Sequence, residues 1–368
     1  MPFRKQKTRD PERFPRWGFV LLALAAVALS IWLVAAFSER FANAFNRTVG
    51  AFVRSALAHL TSWLPFSLAE FLLYSLPLWL VLLVVIGARR HCGSWRAVLV
   101  YLGAILSAFS LLLSMFVFGF GTGYRTTTLD RRLDLAPTEV NAETLEATAE
   151  RLVTELNALA PSVTYGEDGF SEMPYDLSGL NDKLLAAYLP VCEKYDFVQK
   201  LNSRVKPVLA SKAMSYTHTT GVYAYFTGEA NLNMHFPDYT LPYTAAHELA
   251  HQRGIARENE ANFVAFLVCV GSEDDYLRYS AYLNLYEYVA NALWRADRDR
   301  YRAVLATLDE RVVGELRAYS AFFETYRNSR ASEVSDAVND AYLKLNGSEA
   351  GSESYGLVVE LAVAYYAP

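Results

Sequence analysis

In the first third of the chain, hydrophobic residues come in long unbroken runs rather than at regular intervals. Trp17 to Phe37 is 21 residues without Asp, Glu, Lys or Arg; Phe71 to Ala88 gives 18 more and Ala97 to Tyr124 gives 28. A helix needs about 20 apolar residues to cross a hydrocarbon core, so three such runs predict three transmembrane helices within residues 17–124. No small-residue cleavage site follows the first run, which is read as a retained span rather than a signal peptide. Between the first two runs, Phe41, Phe45, Val49, Phe52, Val53, Ala56, Leu57, Leu60 and Leu64 recur at helical spacing. Residues 41–64 are thus expected to form an amphipathic helix on the membrane surface, with Arg40, Arg47 and Arg54 at headgroup level. A helix packed on the later domain is the alternative.

Beyond residue 125 the apolar positions become periodic and polar linkers interrupt them. Residues 125–140 read as a charged connection. Asn141 is placed to cap a helix carrying Leu145, Ala149, Leu152, Leu156 and Leu159 on one face. Pro161 to Pro174 reads as loop, and Leu180 to Leu189 as a helix stopped by Pro190. Gly221 to Gly228 is β-branched and aromatic between glycines and predicts a strand, with Leu232 and Met234 extending a second. After Pro242 the pattern is helical to about residue 345. Asn346 to Ser354 reads as a polar loop, and Leu357 to Tyr366 as a helix or strand too short to span a bilayer. The expected fold is mostly α: three N-terminal transmembrane helices, then an α-rich domain over residues 125–368 with a small β element.

Composition supports this division. Of 368 residues, 53% are hydrophobic and 20% charged, a poor match to a wholly soluble chain. Residues 1–121 carry a net charge of +8 and the remainder −13. The acidic part would repel phosphate, which argues against nucleic acid as a partner. Residues 1–16 form a basic tail containing Arg4, Lys5, Lys7, Arg9, Arg13 and Arg16, and Arg89, Arg90 and Arg96 sit between the second and third runs. The positive-inside rule places both on the cytoplasmic side of the cytoplasmic (inner) membrane. The N-terminus is then cytoplasmic and the domain from residue 125 extracytoplasmic. Cys92, Cys192 and Cys269 are too few for a disulfide scaffold. Cys192 and Cys269 are read as small buried apolar residues, a pair in an oxidising compartment being the other option.

One motif carries chemistry. His247-Glu248-Leu-Ala-His251 lies in a helical context, and residues four apart on a helix share a face, so both imidazoles can reach one zinc ion. Glu248 projects beside them and serves as general base to the water that such an ion acidifies. Thr244 can cap this helix and Gly254 can end it. A catalytic zinc needs a third protein ligand and an open position. Glu258 supplies that ligand and shares a face with Asn262, which is expected to hydrogen-bond a ligating group from behind. Glu260 is the competing ligand.

His-Glu-x-x-His followed by Glu-x-x-Ala-Asn resembles the gluzincin metallopeptidases. That resemblance implies His247, His251 and Glu258 as ligands and Glu248 as base. The interval from His251 to Glu258 is shorter than in most gluzincins. Gly254 resembles the turn glycine of metzincins, whose third-ligand position is held here by Arg257. Through its spans, Thr227-Gly-Glu-Ala-Asn-Leu-Asn233, the metal motifs and Asn339-Asp-Ala-Tyr-Leu-Lys-Leu-Asn-Gly347, the chain also resembles a bacterial membrane family, domain-of-unknown-function family 3810.

The expected activity is zinc-dependent hydrolysis of a peptide or protein substrate at a lipid bilayer. A catalytically inactive, metal-stabilised envelope scaffold or binding protein is the rival reading. Val222, Tyr223 and Ala224 are candidates for an edge strand that pairs with substrate, and Glu229 and Asn231 for the same cleft. His218, His235 and the row Tyr276, Tyr279, Tyr282 and Tyr286 are candidate oxyanion donors, read otherwise as structural groups.

Overall fold

The computed structural model describes residues 10–327, 329–346 and 357–367. The first part of the basic tail and the polar loop from Gly347 to Ser354 lie outside the described residues. The chain is mostly helical. Its N-terminal region holds α1 (Arg16–Phe37), α2 (Glu39–Phe45), α3 (Ala51–Thr61), α4 (Leu68–Arg90) and α5 (Trp95–Gly119). Three of these, α1, α4 and α5, are long and apolar enough to cross a membrane, which marks a membrane protein. The third apolar run reaches Tyr124, but its helix stops at Gly119. Gly121 and Gly123 follow in a 3₁₀ turn, Gly121–Arg125; Phe120, which precedes it, and Tyr124 within it are buried.

The helix expected on the membrane surface forms as α2 and α3, joined by one π-helical turn at Asn46–Gly50. Its arginines, however, are not all at headgroup level. Arg54 is fully buried, donating to Asn46 O (2.9 Å) and Oδ1 (2.8 Å), Gly119 O (2.9 Å) and Gln199 Oε1 (3.1 Å). Arg47 pairs with Asp196. The segment packs on the following domain because Arg54 finds there the acceptors that a buried guanidinium requires.

The remainder comprises α6 (Leu129–Arg132), α7 (Ala142–Leu159), α8 (Leu177–Lys194), β1 (Lys206–Pro207), α9 (Ser211–Ser215), β2 (Gly221–Ala224), β3 (Glu229–Leu232), α10 (Thr240–Gln252), α11 (Glu258–Val270), α12 (Asp275–Ala296), α13 (Arg298–Leu305), α14 (Glu310–Glu324), α15 (Arg330–Leu345) and α16 (Val358–Tyr366). Asn141 caps α7 as its sequence predicts, in a capping box with Thr144. Pro190 does not stop α8, which runs on to Lys194. α10 begins at Thr240, a turn before the expected Thr244 cap, and so takes Pro242 into its first turn, where a missing N–H costs little. The core forms where α7, α8, α11, α12 and α16 pack around one another and around α10. The sheet lies on α10 in the order β1-β3-β2, with β1 parallel and β2 antiparallel to β3. This leaves β2 as an edge. Cys192 and Cys269 are both free thiols, Cys269 buried.

Candidate metal centre

The metal-motif helix α10 is held on every side. Gln252 Nε2 donates to Gly228 O (2.6 Å) and its amide oxygen accepts from Ser203. The buried Arg253 guanidinium lies 4.0 Å above the Tyr188 ring and donates to Leu201 O (2.8 Å). Gly254 adopts φ +98°, a left-handed conformation natural to glycine at a helix end. A Cβ there would also stand 2.6 Å from Arg54 Nη2. Asn46 Nδ2 donates to Gly254 O (3.0 Å). The turn that swings the chain from α10 into α11 is therefore clamped by the membrane-proximal helices.

That turn brings Glu258, at the start of α11, against the two histidines. Glu258 Oε2 lies 3.2 Å from His247 Nε2 and 3.3 Å from His251 Nε2. All three side chains are buried, and their ligand atoms lie within 4.8 Å of one another. Ligands about 2.0–2.1 Å from a tetrahedral zinc would stand about 3.3 Å apart, so the spacing fits such an ion. His251 Nδ1 lies 2.7 Å from Ile255 O. A proton donated there leaves Nε2 as the lone-pair nitrogen. Burial alone would raise the Glu258 carboxyl, but the imidazoles override it and hold it well below the usual carboxylate range. Burial likewise opposes charge on His251, yet the Glu258 carboxylate wins and lifts it to about 9. Glu258 thus keeps its negative charge and His251 holds a proton against it.

Glu248 stands beside this cluster. Burial pushes its carboxyl upward, opposed by the histidines, and its Oε2 has no hydrogen-bond partner. Strand β2 passes directly over it. A Cβ on Gly221 would lie 2.7 Å from Glu248 Cγ and Oε1, so only glycine lets the strand approach so closely.

Glu260 is separated from this group. Its Oε1 accepts from Leu129 N (3.0 Å) and Arg257 Nη1 (2.8 Å). Arg257 also donates to Tyr124 O (2.9 Å) and Thr126 O (2.8 Å), fastening the segment after α5. Asn262 is buried at the site, but the expected bond to a ligating group is not made. Both its Nδ2 and His247 Nδ1 have no hydrogen-bond partner.

A cleft of about 1730 Å³ opens over the cluster, and Val222, Tyr223, Ala224 and Asn231 line it. Glu229 does not face it. Its carboxylate is committed to the N-terminus of α4, accepting from Leu68 N (3.0 Å) and Ala69 N (2.9 Å), and to Lys206 (2.7 Å). His218 and His235 bond Tyr326, through its carbonyl (2.8 Å) and hydroxyl (2.7 Å). Tyr276 and Tyr279 bond the buried Ser171 and Glu315 instead of the cleft. Tyr286 does line it.

Several cleft residues escaped sequence reasoning. Glu287, pushed up to about 7 by burial and bonded by Tyr239 Oη (3.1 Å), lines the cleft with Asn284 and Asn291. Their spacing of three and four places polar groups on one face of the inward-packed α12, a signal that the tyrosines between them obscured. Tyr342 and Asn339 of α15 also line the cleft.

No curated protein and no solved structure matches the chain. A family model described as "Protein of unknown function (DUF3810)" matches residues 45–363. The match takes in α4, α5 and the domain that follows, and leaves α1 outside. With most of its length matched, the chain belongs to the DUF3810 family.

Proposed function

We propose that the protein is a membrane-anchored zinc metallopeptidase, gluzincin-like in its ligand set, whose helical domain lies outside the cytoplasm. The observation that carries this reading is the convergence of His247, His251 and Glu258, with Glu258 Oε2 3.2 and 3.3 Å from the two imidazole Nε2 atoms and all three ligand atoms within 4.8 Å of one another, beside Glu248 in an open cleft. When bound, zinc supplies a Lewis acid that acidifies water and polarises a scissile carbonyl. His247, His251 and Glu258 would hold the ion. Glu248, with an unpartnered carboxylate oxygen, takes a proton from the attacking water and delivers it to the leaving amine. The free edge of β2 offers backbone groups along which an extended peptide can lie. Orientation rests on Arg89 and Arg90 at the end of α4 and Arg96 at the start of α5, which the positive-inside rule assigns to the cytoplasmic side of the inner membrane.

Glu248→Gln removes the base and keeps the three ligands. It is expected to retain zinc and to lose turnover by at least about a hundredfold, the usual contribution of a positioned base. Equal cleavage by parent and variant would contradict the mechanism. Zinc in both with cleavage by neither would favour an inactive metal-stabilised scaffold.

A further inference from the structure

The second apolar helix stands apart from the other two. α1 and α5 pack along one another, whereas no residue of α4 is buried. The contacts of α4 lie at its two ends. Near its C-terminus, Tyr101 Oη of α5 donates to Leu83 O (2.7 Å), its ring stacks on His91 at 4.7 Å, and Gly87 lets it approach. At its N-terminus α4 is tied to the domain. Glu229 accepts from the first backbone amides of α4, and Glu70 accepts from Leu209 N (2.9 Å) and Ala210 N (2.8 Å). The named contacts of α4 with α5 thus lie toward its C-terminal end and those with the domain at its N-terminal end, the pattern of two helices that part toward the domain.

The metal-site cleft continues to this divergence. Ala69, Leu73 and Tyr74 of α4 line it together with Phe120 and Tyr124 at the end of α5. Leu73 and Tyr74 are 66% and 61% exposed, and both belong to the uncharged run Phe71 to Ala88 of a helix long and apolar enough to cross a bilayer. The edge strand leads the same way. Gly221 lies over Glu248, while the far end passes Tyr223, 5.3 Å from Phe120, to Tyr225, 5.2 Å from Phe116 of α5. A chain extended along β2 across the metal ligands thus runs out between two membrane helices.

We propose that the substrate is a polypeptide with an apolar, bilayer-embedded anchor, which enters between α4 and α5 and is cut where it leaves the membrane. This rests on the metallopeptidase reading and adds a substrate class. An unanchored peptide would leave Leu73 and Tyr74 uncovered beside the cleft. An anchor covers them and delivers its membrane-proximal residues to β2. An amide bond breaks, water supplies hydroxyl to the acyl half and hydrogen to the amine half, and no other reactant is needed.

The test uses full-length protein in phospholipid vesicles and one randomised 20-residue peptide library in three forms: fused to a transmembrane helix, attached to a myristoyl chain, and free. Products are mapped by mass spectrometry for parent, Glu248→Gln and Leu73→Arg. The expected result is Glu248-dependent cutting of anchored libraries, concentrated within about ten residues of the anchor because an extended chain advances only about 3.3 Å per residue. Confinement to one surface alone raises effective concentration, so the position of the cuts and the Leu73→Arg variant carry the decision. That variant is expected to lower the anchored-to-free ratio at least about tenfold, as a charge facing lipid at the entrance opposes an apolar anchor. Cutting of either anchored form, helix or acyl, near its anchor supports the proposal and identifies the anchor type. Cuts spread evenly along the library, or a free library cut as well as the anchored ones, would overturn it and leave the peptidase reading standing. No Glu248-dependent cut in any library would remove both.

Discussion

Two glutamates two positions apart have different roles, and the difference follows from helix geometry. Glu258 faces the histidines of α10, while Glu260, turned by two helical positions, faces Leu129 and Arg257. Glu258→Ala is expected to abolish tight zinc binding, and Glu260→Gln to keep one zinc per chain while loosening the connection after α5; metal analysis of the two variants checks both. Proton binding at the cluster gives a further expectation. In the ion-free protein His251 is raised from 6.5 to about 9, so its pairing contributes stability fully below about 6.5 and loses it as pH rises through about 9. Glu258 is lowered, so its contribution is present above its ordinary 4.5 and lost only on strong acidification. Zinc must displace the His251 proton, so zinc affinity moves oppositely and rises with pH toward 9. Thermal unfolding of ion-free and zinc-loaded protein between pH 6 and 9 should therefore diverge; parallel curves would contradict the coupling.

At the scale of elements, the turn between α10 and α11 decides whether Glu258 reaches the two histidines. Gly254→Ala forces a Cβ into left-handed backbone against Arg54 and is expected to cost about 1–3 kcal/mol. Arg54→Met orphans acceptors at Asn46, Gly119 and Gln199, each worth about 1–3 kcal/mol. Both variants should lower the unfolding temperature and weaken zinc binding, measured by calorimetry. Gly254 was legible in the sequence, because a glycine after an apolar helical pattern marks its end. Arg54 was not. A lone arginine on an amphipathic helix looks the same whether it meets headgroups or buried carbonyls, and only the packed partner decides. Pro190 misled for a related reason: tertiary packing along α8 outweighs the lost hydrogen bond. β1 is two residues long and exists only through its pairing with β3, so no periodicity could announce it.

Across the whole molecule, the helical domain and the apolar helices share one site rather than being joined by a tether. Glu229 illustrates the coupling: read in sequence as a cleft residue, it anchors α4 instead. The long uncharged runs and the His-Glu-x-x-His spacing made the apolar helices and the helix that carries His247 and His251 legible, since both are local patterns. The relation between α4, α5 and the cleft was not, because it depends on contacts far apart in the chain. The proposed orientation has a native reporter in Cys92, exposed between α4 and α5. In a Cys192→Ala background, which removes the partly exposed thiol of the helical domain, Cys92 in intact cells should resist a membrane-impermeant maleimide and react only after permeabilisation; rapid labelling of that variant in intact cells would reverse the topology. The most direct test of the central claim is metal content of the purified full-length protein, parent beside His247→Ala and Glu248→Gln. The expected result is one zinc per chain in the parent and in Glu248→Gln and none in His247→Ala, whereas equal, near-zero zinc in all three would contradict the metal centre itself.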